Sequence, residues 1–328
     1  MTLSKLPAEA VGATLRWTPA DLPDLTGLTV LVTGATAGLG EATTIALSTR
    51  GAHVVLATRN AEKTTAVMDR IRQRHPEASL EHLSVDLADL ASVRSAAEAF
   101  LTAHASVDRI VANAGIMAPP LQRTADGFEM QLGVNHLGHF ALVGLLLPAL
   151  LAADGARVVT VSSGAHKVGR IDLTDLNWDR ERYEKWPAYG RSKLANLLFT
   201  SELQRRLEAA PADAVSVAAH PGYAATDLQT TGPTAQGGIS GRINGIMLRA
   251  VNAVVAQSAS QGALPQLFAT AAPDVPGGSY WGPDGPGEVR GYPGPAARSG
   301  RAQDPVMARA LWEASEELTG VHYDLPAA

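Results

Sequence analysis

Short apolar runs alternate with longer stretches of helical periodicity along most of the chain. The apolar runs are 28–33, 53–58, 80–85, 108–113, 156–162 and 214–220. The helical stretches are 39–50, 61–74, 89–104, 126–152 and 188–209. The apolar runs lack strict alternation, which is expected when helices cover both faces of a parallel sheet. The pattern therefore predicts an α/β fold, with a doubly wound parallel sheet of about seven strands and helices on both faces.

No linker divides this alternating core, so we expect a single domain. The predicted segments are an N-terminal arm, one catalytic domain and a C-terminal extension, at 1–26, 27–285 and 286–328. A helix near 304–319 is expected to close the extension.

The chain after the last apolar run changes in composition. Residues 229–245 are rich in glycine, threonine and serine, which predicts a mobile loop followed by a helix at 246–270. We expect residues 227–260 to form a lid over the ligand site. Residues 273–298 are dense in proline and glycine, so irregular structure is expected there, apart from a short strand around 279–281.

Composition excludes several classes of function. The 328 residues carry a net charge of −5 without a basic run, which argues against nucleic-acid binding. There is no cysteine, so disulfides, thiolate metal sites and cysteine nucleophiles are absent. The most apolar stretch, 141–152, is too short to span a bilayer and contains Pro148. We expect a cytoplasmic protein without a membrane span.

A glycine-rich turn, "TGATAGLG" at 33–40, follows the first predicted strand and opens the first helix. Glycines at this position let the backbone turn sharply and approach a pyrophosphate, which the helix N-terminus then binds. The spacing is TGxxxGxG, not GxGxxG, and the alternative is a tight connection that binds nothing. The residues predicted to bind a dinucleotide here are Gly34, Thr36, Gly38, Leu39 and Gly40.

The ends of the second and third strands indicate which dinucleotide is bound. Arg59 follows the second strand where an acidic residue would select NAD, and its guanidinium can pair with the 2′-phosphate of NADP. NADP(H) is therefore the preferred cofactor, and NAD(H) stays possible because a surface arginine is common. Asp86 ends the third strand, where it can accept from the adenine amino group or cap the next helix.

A tyrosine and a lysine stand four positions apart in "YGRSK". On a helix, Tyr189 and Lys193 share one face, and a nearby ammonium is expected to lower the pKa of the phenol from about 10 toward neutrality. Such a phenol is a good general acid for a carbonyl oxygen. Ser163, after the fifth strand, can hydrogen-bond the same oxygen, although a Ser-Ser pair also suits a turn.

Several motifs together resemble those of the short-chain dehydrogenase/reductase family of the Tyr-Lys type, which has a Rossmann-type fold. They cover roughly residues 27 to 285 and come in the family's order. They are Thr33-Gly34-xxx-Gly38-x-Gly40, Asp86-Leu87, Asn113-Ala114-Gly115, Asn135, Ser163, Tyr189-xxx-Lys193, and Pro221-Gly222 with Thr226. The residues in and around these motifs are most similar to those of the branch that contains retinol dehydrogenases and protochlorophyllide reductase. The absence of cysteine disfavours protochlorophyllide reductase activity.

The resemblance implies a role for each matched residue. The implied catalytic residues are Tyr189 as proton donor and acceptor, Lys193 as its partner and a ribose ligand, Ser163 as carbonyl polariser, and Asn135 as a support for a water relay. The other implied cofactor-binding residues are Asp86, Leu87, Asn113, Ala114, Gly115, Pro221, Gly222 and Thr226.

The resemblance implies hydride transfer between NADP(H) and a small-molecule substrate, which interconverts a ketone or aldehyde, expected to be lipophilic, with its alcohol. The alternative is a non-catalytic dinucleotide-binding scaffold. The insert between Ser163 and Tyr189 carries Trp178, Tyr183 and Trp186, which we expect to wall the substrate cleft. No metal site is expected, because the neighbouring histidines 136 and 139 lack a third ligand at helical spacing. A homo-oligomer is possible, as in many family members.

Overall fold

The structure is a computed structural model that describes residues 16–210, 212–223 and 257–325. These residues contain eight strands in one sheet, ordered β3-β2-β1-β4-β5-β6-β7-β8. The strands are β1 Thr29–Thr33, β2 His53–Thr58, β3 Leu80–Ser84, β4 Arg109–Ala112, β5 Ala156–Val161, β6 Ala214–Ala219, β7 Tyr280–Pro283 and β8 Pro293–Pro295. The first seven are parallel, and β8 pairs antiparallel with β7.

Helices connect the parallel strands, as the periodicity predicts. They are α1 Gly38–Ser48, α2 Ala61–Arg74, α3 Leu90–Ala103, α4 Met130–Leu132, α5 Gly138–Leu145, α6 Leu147–Leu151, α7 Lys185–Ala209, α8 Ala259–Gly262, α9 Leu264–Ala271 and α10 Pro305–Thr319. Among the described residues, no helix is both long and apolar enough to cross a bilayer.

The strand order places a crevice at the centre of the sheet. The chain runs outward from β1 to β2 and β3, then returns to β4 on the other side of β1. Helices following β1 and β4 therefore diverge, which opens a space beyond the carboxyl ends of these strands. The loop after β1 and the segment after β4 both enter this space.

Apolar side chains cover both faces of the sheet. Val55, Ile110 and Val158 pack on one face with residues of α3 and α5. Val54, Val111 and Val159 point to the other face and pack with residues of α1 and α9. Because successive strand residues alternate between faces, a strand buried on both sides needs an apolar residue at every position. This explains the unbroken apolar runs of the sequence.

Four regular elements differ from the prediction. The described end of the helix expected at 246–270 consists of α8 and α9, and Gln257 and Ser258 before them are not helical. The sheet has an eighth strand, β8, within the proline- and glycine-rich span that was expected to be irregular. The predicted helix at 126–152 is divided into α4, a π-helical turn at Gly133–Leu137, α5 and α6. Leu146, the residue between α5 and α6, leaves helical geometry two residues before Pro148, which favours a break there. The helix that carries Tyr189 starts at Lys185, three residues earlier than expected.

Residues at both ends of the described chain pack on the domain. Trp17 is buried and meets Phe268 edge to face, with ring centroids 5.5 Å apart. Trp312 of α10 stacks on Phe199 of α7 at 5.7 Å. The guanidinium of Arg206 lies 4.4 Å from the Trp312 ring. The outer surface of α7 is therefore covered by the chain's own C-terminal helix.

Candidate active site

The loop between β1 and α1 depends on its glycines. Gly38, the first residue of α1, has φ +52°, a conformation that disfavours side chains. A Cβ on Gly40 would lie 2.3 Å from the Gly34 carbonyl oxygen and 2.6 Å from Asn113 Nδ2. The cap residue Ala37 makes no side-chain bond to the first turn of α1. The exposed backbone donors of this turn suit an anion such as a pyrophosphate.

The segment after β4 braces this loop. Asn113 Nδ2 donates to the Thr33 carbonyl at 2.8 Å. The backbone amides of Asn113 and Ala114 both donate to Thr33 Oγ1 at 2.9 Å. A Cβ on Gly115 would lie 3.1 Å from Asn135 Oδ1 and 3.5 Å from Lys193 Nζ. Asn113–Gly115 thus connects the glycine loop with the region of the lysine.

Arg59 is exposed directly after β2. In the described part of the chain, no carboxylate pairs with it. Its neighbours are already engaged, since Thr58 Oγ1 bonds Thr64 Oγ1 at 2.5 Å and Asn60 caps α2 by accepting from Lys63 N. Recognition of a phosphate at this strand end would therefore depend on Arg59.

The half-buried Asp86 follows β3, and its carboxylate accepts from Ala88 N at 2.9 Å. Asp89, not Asp86, caps α3. The helix-cap alternative for Asp86 is therefore wrong. The buried Leu87 packs under α5, where a Cβ on Gly138 would lie 2.4 Å from the Leu87 carbonyl oxygen.

Tyr189 and Lys193 are both buried on one face of α7. Lys193 Nζ lies 5.7 Å from the centre of the Tyr189 ring and donates to the Val161 carbonyl at 3.0 Å. Burial raises the pKa of Tyr189 to about 12, and a hydrogen bond from Ser163 opposes this rise. The expectation that Lys193 lowers the pKa of Tyr189 toward neutrality is therefore wrong within the protein's own environment. Burial also lowers the pKa of Lys193 to about 8.

The two adjacent serines have different surroundings. Ser163 is half-buried, its hydroxyl accepts from Ala165 N at 3.2 Å, and it lies close enough to Tyr189 to lower the pKa of the phenol. Ser162 is buried and donates to the Lys193 carbonyl at 2.8 Å. Ser163 is therefore the serine that faces the phenol, and Ser162 fixes α7 against β5.

Asn135 lies buried in the π-helical turn. Its Oδ1 accepts from Ile116 N at 2.8 Å, and its Nδ2 donates to the Ile116 carbonyl at 3.0 Å and to Ser192 Oγ at 2.9 Å. These bonds use both N–H donors of the amide and one acceptor position of its oxygen. They join the segment after β4 to α7 beside Lys193, and the relay through water stays a prediction.

Pro221 and Gly222 follow β6 and are held by a residue far along the chain. Gly222 has φ +67°, and a Cβ there would lie 2.4 Å from the Val289 carbonyl oxygen. Gln257 Nε2 donates to the carbonyls of Pro221 at 3.0 Å and Val289 at 3.2 Å. Thr226 and residues 227–256 of the expected lid lie outside the described residues.

The three aromatic residues of the insert are not equivalent. Trp186 is 48% exposed and meets Tyr189 edge to face, with ring centroids 6.4 Å apart. Trp178 is buried, and the guanidinium carbon of Arg191 lies 4.3 Å from the centre of the Trp178 ring. The Tyr183 hydroxyl donates toward Glu129 Oε1 at 3.2 Å. Of these three residues, only Trp186 has a large exposed surface beside the phenol. The sequence did not predict the contacts of Arg191, because no motif marks this residue.

Two histidines singled out in the sequence have structural partners. His136 Nε2 bonds Ser315 Oγ at 3.0 Å, and His139 Nε2 bonds Thr33 Oγ1 at 2.8 Å. Burial lowers the pKa of His136 to about 3 and that of His139 to about 4. Both are therefore neutral packing residues.

A model of the short chain dehydrogenase family matches residues 28–236. The chain belongs to the short chain dehydrogenase family. Retinol dehydrogenase 13 of Homo sapiens is 38% identical over 299 residues, 90% of this chain and 85% of that protein. Polyprenol dehydrogenase of Mus musculus is 38% identical over 308 residues, 92% of this chain and 87% of that protein. A solved structure of an uncharacterized protein from Mycobacterium paratuberculosis superposes with a TM-score of 0.78 at 45% identity, covering 94% of this chain and 99% of that one.

These relatives place the dehydrogenase in the retinol dehydrogenase branch of its family, as the residues of its motifs predict. The dehydrogenase is an oxidoreductase of the class that interconverts alcohols and carbonyls. The predicted single-sheet α/β fold of Rossmann type is likewise confirmed.

Proposed function

We propose that this dehydrogenase interconverts a lipophilic ketone or aldehyde and its alcohol with NADP(H), using Tyr189 as the proton donor and acceptor. The observation that carries the proposal is the convergence of three side chains from two elements. The Ser163 hydroxyl lies beside the Tyr189 phenol and opposes the rise of its pKa on burial, and Lys193 lies on the same helix face, 5.7 Å from the centre of the Tyr189 ring. A scaffold that only bound a dinucleotide would not need these groups together.

The described residues fit a dinucleotide. The uncapped N-terminus of α1 would hold the pyrophosphate, and Asp86 would accept from the adenine amino group. Arg59 would pair with a 2′-phosphate, while Lys193 and the segment 113–115 would line the nicotinamide end. When bound, the nicotinamide ring supplies or takes up the hydride at the substrate carbon.

The protein's own contribution is the proton and the placement of the substrate oxygen. With a pKa of about 12, Tyr189 is protonated at neutral pH and can donate to the oxygen of a carbonyl. The Ser163 hydroxyl would hold the same oxygen, and its position beside the phenol supports this role.

The choice of a lipophilic substrate is supported by the surface beside Tyr189 and by the relatives. Trp186 exposes nearly half of its indole next to the phenol. The relatives include enzymes named for retinol and polyprenol, both lipophilic alcohols. We propose that the substrate's apolar part contacts Trp186.

The Tyr189→Phe variant tests the catalytic proposal. Its rate of carbonyl reduction, followed by NADPH consumption with a panel of lipophilic aldehydes and ketones, should fall by about 10²–10⁴-fold. NADPH binding, followed by fluorescence titration, should persist. Tyr292→Phe, which removes a phenol away from the triad, should keep full activity. Turnover by Tyr189→Phe at the original rate would overturn the proposal, and NADPH binding without turnover in the original enzyme would favour a scaffold.

Arg59→Asp tests the coenzyme preference. Loss of the guanidinium and gain of a carboxylate should shift the ratio of kcat/KM values for NADPH and NADH toward NADH by about tenfold or more. Arg74→Asp makes the same charge change at the exposed far end of α2 and should leave the ratio unchanged. An unchanged ratio in Arg59→Asp would remove the argument for NADP(H).

Two sequence-based expectations stay predictions. They are the cytoplasmic location and the formation of a homo-oligomer. Cell fractionation of the untagged protein and its mass in solution by light scattering would test them.

A further inference from the structure

Two histidines and a glutamate meet on the side of the sheet opposite to the active site. His53 is the first residue of β2, Glu81 is the second residue of β3, and His104 caps the end of α3. The coenzyme crevice lies beyond the carboxyl ends of the strands, whereas these three residues lie at the amino ends. None of them belongs to a family motif or to the catalytic proposal.

Their potential ligand atoms are close together. His53 Nε2 lies 3.1 Å from Glu81 Oε2, and His104 Nε2 lies 3.0 Å from the same oxygen. The three atoms all lie within 4.8 Å of one another. A tetrahedral zinc ion with bonds of about 2.0–2.1 Å keeps its ligand atoms roughly 3.3 Å apart. Two of the three spacings thus approach those of a zinc coordination sphere.

The fold fixes this arrangement through three separate elements. Val55 is paired with Glu81 across the parallel strands, and His53 lies two residues before Val55 on the same face. The His104 ring stacks on Phe100 of α3, with centroids 4.6 Å apart. The three ligands are therefore set by strand register and helix packing rather than by a flexible loop.

One further contact orients an imidazole for a cation. His53 Nδ1 lies 2.7 Å from Ser79 Oγ. When Nδ1–H donates to that hydroxyl, the Nε2 lone pair is left for a metal ion, and this arrangement is common around metal-bound histidines. An ion pair between Glu81 and His53 would not need this hydrogen bond to Ser79. A metal-bound histidine commonly has such a second partner.

The three side chains are also accessible. Their exposed fractions are 29% for His53, 37% for Glu81 and 17% for His104. A cation can therefore enter from solvent, and water can complete its coordination. Two imidazoles and one carboxylate form a donor set that suits zinc better than the hard cations calcium and magnesium.

We propose that His53, Glu81 and His104 bind a divalent zinc-class ion that joins the end of α3 to the amino ends of β2 and β3. The site is structural, since it lies on the opposite edge of the sheet from Tyr189. Its metal chemistry is independent of the proposed dehydrogenase activity.

The test uses the full chain without a polyhistidine tag, stripped of metals by a chelator and titrated with Zn²⁺ in a calorimeter. One ion per chain should bind. His104→Gln, His53→Gln and Glu81→Gln, which keep a polar side chain of similar size, should each weaken binding at least about tenfold. His322→Gln removes a histidine from an exposed two-residue pair with Glu316 and should bind zinc like the original protein.

A second readout separates this site from adventitious binding. Zn²⁺ should raise the thermal unfolding temperature of the original protein and of His322→Gln, and should raise it less in His104→Gln. The proposal is overturned by absence of stoichiometric binding in the original protein, whatever the variants do. It is also overturned if all three substitutions leave the affinity unchanged, because the ion then binds elsewhere.

Discussion

The coenzyme side of the sheet and the insert before α7 are stabilised by different kinds of contact. The coenzyme side, defined here as residues 29–60 and 109–115, is built from paired strands and a loop whose glycines touch backbone atoms. The insert, residues 164–188, is described throughout and has one short 3₁₀ turn, Gly164–Val168, before α7 begins. Two charged side chains take up much of its backbone hydrogen bonding.

Asp175 and Arg191 organise the insert from opposite sides. The Asp175 carboxylate accepts from the backbone amides of residues 179, 180 and 181 at 2.7, 3.2 and 3.0 Å. The buried Arg191 donates to the carbonyls of Arg170, Asp175 and Leu176 at 3.1, 2.6 and 3.1 Å. The conformation of the insert therefore depends on these two side chains, whereas the sheet depends on strand pairing.

This difference indicates that coenzyme binding and substrate binding can be damaged separately. Substitutions in the glycine loop should act on the coenzyme, whereas substitutions that loosen the insert should act on the substrate. A variant that damages both equally would break the distinction between the two regions.

The largest effect is expected for Gly40→Val. A side chain at this position would meet the Gly34 carbonyl oxygen at 2.3 Å and Asn113 Nδ2 at 2.6 Å, so the loop must move. We expect NADPH binding, measured by fluorescence titration, to weaken by about 100-fold or more, with a loss of about 1–3 kcal/mol in the free energy of unfolding. Gly300→Ala is the control, because a Cβ there meets nothing within 4 Å. Unchanged affinity in Gly40→Val would show that the loop does not hold the pyrophosphate.

The next largest effect is expected for Arg191→Met. This change leaves three carbonyls, two of them buried, without their donor, which should cost about 2–4 kcal/mol in stability measured by urea unfolding. We expect kcat/KM for the carbonyl to fall by about tenfold or more, since Tyr189 lies two residues away on α7.

NADPH affinity should stay within about threefold in this variant, because the coenzyme side makes none of the contacts of Arg191 described above. Arg182→Met, at an exposed position of the same insert, is the matched control. An equal loss of coenzyme and substrate binding would contradict the separation of the two regions.

Much of the coenzyme side could be predicted from the sequence. The predicted and observed limits of β2 and α2 coincide at 53–58 and 61–74. Local periodicity suffices there because the central residues of each strand are apolar and each helix carries one buried face. The glycine positions are equally informative, since Gly38 and Gly40 are demanded by backbone geometry within a single turn.

The remaining features arise from contacts between residues far apart in sequence. Gln257 bonds Pro221 across 36 positions, and Arg191 bonds Asp175 across 16, and neither contact follows a periodic pattern. The raised pKa of Tyr189 could not be predicted because an i, i+4 spacing gives no measure of burial. The same holds for His104 and His53, which meet only once the sheet and α3 have packed.

A moderate effect is expected from pH. Lys193 is protonated below its pKa of about 8, so its charge beside Tyr189 is present below that value and is lost above it. With saturating NADPH, the rate of carbonyl reduction should be flat at lower pH and fall by about tenfold per pH unit above the pKa. Tyr189 itself titrates only near 12, so this alkaline limb belongs to the lysine.

Lys193→Arg provides the internal check, because a guanidinium stays charged across this range and should remove the limb. A limb that persists in this variant would assign it to another group. If the rate of carbonyl reduction by the original enzyme does not fall above about pH 8, the assignment to Lys193 is contradicted whatever the variant does.

The smallest effect is expected for Trp186→Ala, which tests whether the insert contributes to substrate binding while the protein stays folded. Trp186 is 48% exposed, so its removal leaves little buried cavity and should change stability by less than about 1 kcal/mol. If the substrate's apolar part contacts the indole, KM for a long-chain carbonyl should rise by about threefold to tenfold, while KM for a short-chain analogue changes little. Val306→Ala removes another exposed apolar side chain, on α10, and should leave both KM values unchanged. An equal rise for long and short substrates would show that Trp186 positions Tyr189 instead of binding the chain, because the edge-to-face contact with the phenol ring would then be the one that matters.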